Sequence, residues 1–274
     1  MTDHFPLNKT ACILNWSMFD LSPTQPPTLQ DILHEKPLQP ADVADPTEFV
    51  KNHVNLTYQN DNSHKMKLAH GTTCLSFIYE GGIVVAVDSR ASGGAFVMSG
   101  TVQKYVEIAP NMIGTLAGGA ADCQYWLRTI ERTCKLHRFR YQTPLTVAAA
   151  SKILVNSLYS YRGYGLSIGT MICGYDQTGP HIFYVDNDGT RISGERFSVG
   201  SGSTYAYGVL DTCYKYNMTK EEAIDLGRRA IYHATFRDAG SGGRVSVLHI
   251  TKDGIEYMDK VDVFDLHDFE HSPE

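Results

Sequence analysis

The chain has 274 residues, 42% of them hydrophobic and 20% charged, which is ordinary usage for a globular protein and enough for one large domain or two small ones. A formal net charge of -6 without a basic stripe argues against a nucleic-acid-binding surface. There is no secretory signal pattern and no apolar run of the roughly 18 residues that a membrane helix needs, so neither secretion nor membrane insertion is expected.

The six cysteines are scattered along the chain, with no C-x-x-C pair and no Cys/His spacing of the kind that holds zinc. Because a large chain without a signal peptide normally keeps its thiols reduced, we expect free thiols and not disulfides. The histidines include no H-E-x-x-H pattern. We therefore expect neither a catalytic metal nor any other cofactor.

Residues 1 to about 70 differ from the rest of the chain in composition. They hold most of its 11 prolines and show no sustained helical or alternating period. Such a segment buries too little apolar surface to form a core of its own. We interpret it as a tail or pro-segment, and not as a second domain.

After this tail the chain becomes strand-like. Two apolar runs, 72–79 and 83–88, flank a Gly-Gly turn and predict a β-hairpin. Residues 91–100 are rich in Gly and Ser, which is typical of a loop or a short strand. The runs 102–108 and 112–117, separated by a Pro-Asn turn, predict a second hairpin.

Apolar residues at helical spacing predict four helices. The first covers 120–136, and the second covers 144–161 with Thr143 as its N-cap. The third begins near Ser203, and the fourth follows a capping box at Thr219. The face of the first helix that we expect to be buried consists of Cys123, Leu127, Ile130 and Cys134.

The later strands come in runs that the helices separate. They are predicted at 167–175, 181–186, 191–192 and 197–199, followed by a closing hairpin of 244–251 and 255–263. Hairpin connections and separate runs of strands and helices are typical of an α+β fold with antiparallel sheets and the helices outside. One such arrangement is two stacked sheets between two helical layers.

Thr72 lies where the irregular tail gives way to the first strand. If the chain is cut between Gly71 and Thr72, this residue carries both a hydroxyl nucleophile and an α-amine with a pKa near ~8, which can accept the hydroxyl proton. Asp88 closes the second strand and Lys104 begins a later one. An ammonium group near the hydroxyl would favour its deprotonation, and an aspartate would hold that ammonium in place. The alternative is a strand-edge threonine and two solvated surface charges.

Seven motifs extend this hypothesis. Together, and in the same order, they resemble motifs of the catalytic beta subunits of the proteasome, most of all the chymotrypsin-like (beta-five) type. The resemblance runs from Gly71 almost to the end of the chain. The motifs are Gly71-Thr72-Thr73, Val87-Asp88-Ser89-Arg90-Ala91, Val102-Gln103-Lys104, the segment 114–122, the segment 165–170, the segment 198–203 and the segment 237–243.

The resemblance implies an N-terminal-nucleophile hydrolase, built as a four-layer sandwich with two antiparallel β-sheets between helical layers. Residues 1–71 would be a propeptide and residues 72–274 the catalytic domain. The implied activity is that of a threonine endopeptidase that cuts itself autocatalytically between Gly71 and Thr72. Such an enzyme then cleaves proteins and peptides after large hydrophobic residues, as part of ubiquitin-dependent protein degradation.

The resemblance also implies partners and a location. The chain would assemble with other proteasome beta and alpha subunits in stacked heteroheptameric rings, in the cytoplasm and nucleus. Its substrates would be proteins and peptides, and neither nucleic acid nor a membrane would be a partner.

Roles carry over motif by motif from the resemblance. Thr72 would be the nucleophile, its own amine the general base, and Asp88 and Lys104 the supporting pair. The backbone N–H of Gly118 would donate to the developing oxyanion, a task that fixed main-chain donors perform well. The side chains implied to order the N-terminus and its proton network are those of Ser201, Asp238 and Ser241.

The resemblance further implies a pocket for the side chain that precedes the cut bond, lined by Ala91, Val102, Leu116 and Ala120. The two small alanines leave this pocket deep and uncharged, which favours large apolar side chains. Ser92 would pair with the substrate through its backbone, and Met98 would lie near the third substrate pocket.

The sequence departs from the family pattern at five of these or neighbouring positions. A threonine is usual at positions 74 and 92, a methionine at 116, an alanine or serine at 98 and a tyrosine at 240. The residues found there are Cys74, Ser92, Leu116, Met98 and Gly240. These departures indicate a divergent or tissue-specialised member with a shifted substrate preference.

Two classes of function stay open at this point. The chain is either an active endopeptidase or a non-catalytic structural ring subunit of the same assembly. Structural subunits usually lack the threonine, the lysine or the cleavable glycine, and the presence of Gly71, Thr72 and Lys104 favours the enzyme. Residues 165–169 also fit a G-x-S-x-G nucleophile elbow, but that elbow needs a strand before the serine and a helix after it. The predicted order here is the reverse.

Overall fold

The computed structural model describes residues 71–93 and 96–271, and only the backbone of 269–271. The tail predicted for residues 1–70 lies outside these ranges. The strands of the described part are β1 Cys74–Tyr79, β2 Gly82–Val87, β3 Ala91–Gly93, β4 Phe96–Ser99, β5 Tyr105–Ala109, β6 Met112–Thr115, β7 Ala117–Gly118, β8 Ile168–Asp176, β9 Gly179–Asp186, β10 Arg191–Ser193, β11 Arg196–Val199, β12 Arg244–Thr251, β13 Gly254–Tyr257 and β14 Val261–Asp262. The helices are α1 Ala120–Tyr141, α2 Val147–Tyr159, α3 Ser203–Cys213, α4 Lys220–Arg237 and α5 Val263–His271.

These strands form two antiparallel sheets and a small ribbon. The first sheet has the order β11-β1-β2-β12-β13, with β14 pairing beside the start of β12. The second has the order β10-β9-β8-β6-β5, with the short β7 on β8. Strands β3 and β4 pair only with each other. The α+β class and the antiparallel sheets predicted from the sequence are confirmed.

Strand β1 lies between β2 and β11, and its side chains alternate between two buried surroundings. Leu75 and Phe77 belong to a cluster that includes residues of α3 and α4. Cys74 belongs to a different cluster, which joins residues of the two sheets. A third cluster joins the second sheet to α1 and α2. Each large apolar side chain buried in this way contributes roughly 1.5–3 kcal/mol, so both faces of β1 hold it in register.

Both predicted hairpins are present. Phe77 pairs with Val84 and Tyr79 with Gly82 in the first, and Tyr105 pairs with Thr115 in the second. The stretch predicted as a loop or short strand is the ribbon of β3 and β4.

The helix predictions are largely confirmed, with one correction. The buried residues of α1 are the four that its apolar spacing predicts, Cys123, Leu127, Ile130 and Cys134. Thr219 and Glu222 make both bonds of the predicted capping box of α4. The N-cap of α2, however, is Thr146, whose side chain accepts the N–H of Ala149 at 3.2 Å. The predicted cap Thr143 was wrong, because Leu145 packs against the core and the chain enters the helix only after it.

The C-terminal part departs more from the prediction. The expected strand 255–263 is divided into β13 and β14, and the chain then enters α5, which the sequence analysis missed. Val263 and Leu266 of this helix pack against the cluster that contains β1. Asp262 accepts the N–H of Phe264 at 3.1 Å and so bonds one free donor at the start of the helix. Of the helices that the structure describes, none is both long and apolar enough to cross a membrane.

Candidate active site

Thr72 lies two residues before β1 and is buried. Its hydroxyl Oγ1 donates to the carbonyl oxygen of Gly71 at 2.6 Å. Its own carbonyl oxygen accepts the N–H of Gly202 at 3.4 Å. Gly200 makes this approach possible, because its φ is +107° and a Cβ there would lie 2.1 Å from the Thr72 oxygen. A turn that requires glycine thus encloses the backbone of Thr72.

The side chain of Lys104 reaches the same hydroxyl from just before β5. Its Nζ lies 3.0 Å from Oγ1 of Thr72 and 3.3 Å from the carbonyl oxygen of Gly71. It is 2.6 Å from Oδ1 of Asp88, and both charged side chains are buried. One ammonium therefore contacts the hydroxyl, the neighbouring carbonyl oxygen and a carboxylate, so it favours negative charge on either oxygen.

Asp88 is held by backbone donors as well as by Lys104. Oδ1 accepts the N–H of Thr73 at 3.0 Å, and Oδ2 accepts those of Gly242 at 2.9 Å and Arg90 at 3.2 Å. Burial raises the pKa of the Asp88 carboxyl, and Lys104 with these backbone bonds offsets part of that rise. The carboxylate fixes the end of β2 to the residue that follows the nucleophile.

A second polar chain begins at the nitrogen of Thr72. This N–H donates to Oγ of Ser201 at 3.2 Å, and Ser201 donates to Oδ2 of Asp238 at 2.5 Å. Ser241 donates to the same Oδ2 at 2.6 Å. Its oxygen lies 2.8 Å from Oγ1 of Thr73, which must then be the donor because the Ser241 proton is on the carboxylate side.

A cavity of about 70 Å³ opens beside the hydroxyl. Five of the six residues predicted to bind substrate line it, together with the predicted oxyanion donor Gly118: Ala91, Ser92, Val102, Leu116 and Ala120. Met98 does not line this cavity. It lies on β4 with 75% of its surface exposed, and its sulfur packs over Gly93.

The structure thus brings Thr72, Lys104, Asp88, Ser201, Asp238 and Ser241 into one hydrogen-bonded set. Three contributors had no role in the sequence analysis: Thr73, which joins the two halves of this set, the backbone N–H of Gly242, and the side chain of Ser92. The only sign of Thr73 in the sequence was the repeat of threonine at positions 72 and 73. Neighbouring residues of an extended chain point to opposite sides, so Thr73 was not expected in the same site as Thr72.

Ser167, the serine of the G-x-S-x-G motif, has no nucleophile environment. It directly precedes β8 and follows the loop after α2, an order opposite to that of an elbow. Its N–H donates to Asp122 and its carbonyl oxygen accepts from Gly119. In the described residues no three His, Cys, Asp or Glu side chains are grouped as metal ligands would be, and the cysteines there are free.

Comparison with known proteins places this geometry in context. A family model described as "Proteasome subunit" matches residues 68–250. The chain is 54% identical over 225 residues to "Proteasome subunit beta type-5" of Dictyostelium discoideum, covering 82% of this chain and 81% of the relative. It is 54% identical over 203 residues to the Gallus gallus protein of the same name, covering 74% and 79%. It is 49% identical over 221 residues to "Proteasome subunit beta type-8" of Homo sapiens, covering 81% and 79%.

Proposed function

This chain belongs to the proteasome subunit family, and from that premise we propose that it is a threonine endopeptidase subunit whose nucleophile is Thr72. The observation that carries the proposal is the contact of one buried ammonium, that of Lys104, with both Oγ1 of Thr72 and the carbonyl oxygen of Gly71. Acyl transfer requires a nucleophile next to a carbonyl and a positive charge that stabilises the developing oxyanion. The Thr72 hydroxyl, the Gly71 carbonyl and the Lys104 ammonium provide these.

The first reaction is cleavage of the chain itself between Gly71 and Thr72. Oγ1 of Thr72 bonds to the carbonyl carbon of Gly71, and the bond from that carbon to the Thr72 nitrogen breaks. The hydroxyl proton ends on the nitrogen, which becomes a free amine, and Gly71 is left as an ester on Oγ1. Water then hydrolyses the ester to the carboxylate of Gly71 and the restored hydroxyl. Because both reacting groups lie on adjacent residues, no bimolecular encounter is needed. This proximity raises the rate by several orders of magnitude.

In the cleaved chain the new amine of Thr72 serves as the general base. Its nitrogen keeps the neighbourhood of Ser201, through which it is linked to Asp238. The base takes the proton of Oγ1 as the hydroxyl attacks a substrate carbonyl, directly or through a water molecule. Lys104 stabilises negative charge on Oγ1, and the Gly118 N–H, at the cavity wall, donates to the oxyanion. The acyl-enzyme is then hydrolysed.

The cavity supports cleavage after large hydrophobic residues. Arg90 and Lys104 also line this cavity, and its apolar walls are Ala91, Val102, Leu116 and Ala120, of which Leu116 is buried. An apolar side chain gains free energy by leaving water for such a surface, whereas a charged one would lose its hydration. The chymotrypsin-like specificity of the proposed enzyme follows from this lining.

The assignment extends to architecture and partners. We propose the four-layer N-terminal-nucleophile sandwich, since α1 and α2 pack on one sheet, α3, α4 and α5 pack on the other, and an apolar cluster joins the sheets. Residues 1–71 act as the propeptide. The chain assembles with other proteasome subunits, and the finer proposal is stacked heteroheptameric rings in the cytoplasm and nucleus. The alternative of a non-catalytic ring subunit is disfavoured, because such a subunit would not require a buried Lys104 beside Thr72.

The deciding experiment is the intact mass and N-terminal residue of the protein purified from its source, together with peptidase assays. The proposal requires a chain that begins at Thr72 and hydrolyses peptides with a large apolar residue before the cut bond. An assembled chain that retains residues upstream of Thr72 and hydrolyses nothing would favour the structural alternative.

A further inference from the structure

Strand β8 pairs with two short strands in turn, and a gap separates the two pairings. Gly114 of β6 pairs with Ile172, and the pairing resumes where Ala117 of β7 lies opposite Gly169. Two residues of each strand lie between these pairs, so the register is the same on both sides of the gap. The chain therefore leaves β8 for a short stretch and returns to it directly before Gly118, the proposed oxyanion donor.

Two buried hydroxyl groups bridge this gap. Oγ1 of Thr115 accepts the N–H of Met171 at 3.1 Å, and Oγ1 of Thr170 donates to the carbonyl oxygen of Thr115 at 2.6 Å. A hydroxyl group placed between two backbones occupies space that a direct bond from N–H to C=O does not need. The two hydroxyls thus hold the chain at Thr115 away from β8.

The next two carbonyl groups accept hydrogen bonds from buried thiols. Sγ of Cys74, on β1, donates to the carbonyl oxygen of Leu116 at 3.4 Å, and Sγ of Cys123, on α1, donates to that of Ala117 at 3.3 Å. Burial raises the pKa of both thiols, that of Cys123 to about 12, so each keeps the proton that it donates. Each of the three consecutive carbonyls of segment 115–117 accepts a bond from a different buried side chain.

The last of these carbonyls shares a peptide group with the proposed oxyanion donor. Because the C=O and the N–H of a trans peptide point in opposite directions, holding the carbonyl of Ala117 also directs the N–H of Gly118. The N–H of Gly119 donates to the carbonyl oxygen of Ser167 at 2.7 Å, and donors alternate along an antiparallel ladder. The N–H of Gly118 therefore points away from β8, and Gly118 lines the cavity beside Thr72.

We propose that three side chains outside the reacting groups, those of Thr170, Cys74 and Cys123, position the oxyanion donor for catalysis. The inference deepens the proposed function and rests on it. The three donors together fix segment 115–117, and with it the direction in which the N–H of Gly118 meets the oxyanion. They are positioning residues, because they bond to the backbone of this segment and not to the substrate.

The test measures kcat and KM of the assembled enzyme, with kcat expressed per chain that intact mass shows to begin at Thr72. Cys123→Ala and Thr170→Val each remove one donor and should lower kcat about 10-fold, with KM within about twofold. Outright loss of an oxyanion-hole donor costs roughly 100- to 1,000-fold, and here the N–H of Gly118 stays present but is less well directed. Cys123→Ser and Thr170→Ser keep a hydroxyl donor and should recover most of the loss.

Two other buried cysteines provide matched controls. Cys134 lies on the same buried face of α1 as Cys123 and in the same apolar cluster, and Cys173 lies in the cluster that contains Cys74. Cys74→Ala should lower kcat as Cys123→Ala does, whereas Cys134→Ala and Cys173→Ala should leave it within about twofold. If a control lowered kcat as much as its matched variant, loss of packing alone would explain the effect and the positioning role would be overturned.

A peptide aldehyde distinguishes a positioning role from a change in the pocket. Oγ1 of Thr72 adds to the aldehyde carbon, the hydroxyl proton passes to the Thr72 amine, and the aldehyde oxygen becomes the anion that the N–H of Gly118 binds. The matched peptide alcohol occupies the same pocket and forms no such bond. For Cys123→Ala we expect the affinity for the aldehyde to fall about 10-fold and that for the alcohol to change less than about twofold.

Equal weakening of the aldehyde and the alcohol would overturn the inference, because segment 115–117 would then shape the pocket and not direct the donor. Unchanged kcat in both Cys123→Ala and Thr170→Val would also overturn it. An inactive wild-type enzyme that begins at Thr72 would instead contradict the proposed function itself.

Discussion

Nζ of Lys104 lies 2.6 Å from Oδ1 of Asp88, and both side chains are buried. Removing one member of a buried ion pair leaves the other uncompensated, which typically costs about 3–5 kcal/mol. Here the remaining carboxylate would keep three backbone N–H donors, so part of that cost is offset.

Lys104→Ala should abolish turnover while the chain keeps its fold. The hydroxyl of Thr72 loses the ammonium 3.0 Å away, and a fall in kcat of roughly 1,000-fold or more is expected. Peptidase assays and circular dichroism check the two halves of this prediction. Lys135→Ala is the control, since that lysine is exposed and its ionic partner is Glu131 one turn away. Wild-type turnover in Lys104→Ala would remove Lys104 from the catalytic set.

Thr72→Ala should yield a chain that is neither cleaved after Gly71 nor active on peptides, because a single oxygen is proposed to perform both reactions. Thr72→Ser keeps a hydroxyl and should retain cleavage, at a lower rate because the serine lacks the methyl group that restricts the rotamer. Intact mass and a peptide with an apolar residue before the cut bond provide the readouts. Cleavage of the alanine variant at the same bond would show that another nucleophile acts.

Ser201→Ala should lower kcat by roughly 10- to 100-fold without changing the fold. The nitrogen of Thr72 then loses its partner at 3.2 Å and its link to Asp238, so the amine is less well oriented towards Oγ1. Thr212→Ala, which removes a hydroxyl that donates to Gly208 within α3, is the matched control. Equal kinetics for the two variants would exclude Ser201 from the proton network.

Ala91→Val should shift the preference for the residue before the cut bond from large to small. The added methyl groups occupy part of the cavity beside Thr72, and a mismatch of this size is worth about 1–3 kcal/mol in transition-state binding. We expect kcat/KM for peptides with phenylalanine or leucine to fall about 10-fold or more, and that for alanine to change little. A uniform fall across these peptides would mean that position 91 acts on the nucleophile and not on the pocket.

The free energy of unfolding should decrease as the pH rises above about 8.5, the usual pKa of a thiol, because buried thiols resist ionisation. Burial raises the pKa of both Cys123 and Cys173 to about 12. Between these pH values the unfolded chain has released a proton that the folded chain retains, so each thiol lowers the free energy of unfolding by about 1.4 kcal/mol per pH unit. Urea unfolding at several pH values should show a shallower decline for Cys173→Ala. If the free energy of unfolding of Cys173→Ala declined with pH as steeply as that of the wild type, the raised pKa of Cys173 would be contradicted.

The elements best predicted from sequence are those whose own pattern determines what they bury. The first helix has apolar residues at a 3.6-residue period, so its four buried residues could be named in advance. The start of α2 and the whole of α5 could not, because both depend on tertiary packing. Leu145 packs against the core before the helix begins, and Val263 and Leu266 pack against a cluster of residues that are far from them in sequence.

The features of the site also divide into those that the sequence predicts and those that depend on tertiary structure. Residue types in a recognisable order predicted a set that includes Thr72, Lys104 and Asp88, but not the contact between Gly71 and Gly240, which depends on the path of the backbone. Met98 is predicted to lie near the third substrate pocket, and the structure shows it exposed on β4 and outside the lining of the cavity beside Thr72. It lies on a ribbon whose two strands pair with no other strand among those that the structure describes, so no neighbouring sheet fixes the orientation of its side chain.

The placement of Thr72 two residues before β1 has a mechanical consequence. The first residues of a protein chain are normally mobile, because nothing holds them on one side. The proposed cleavage after Gly71 would make Thr72 such an end. Yet Thr73 is bonded to Asp88 through both its N–H and its carbonyl oxygen, and β1 is clamped between β2 and β11. The proposed mature chain would thus have a terminus that the hydrogen bonds of a sheet hold in place, so its first residue would present its own hydroxyl in a fixed direction.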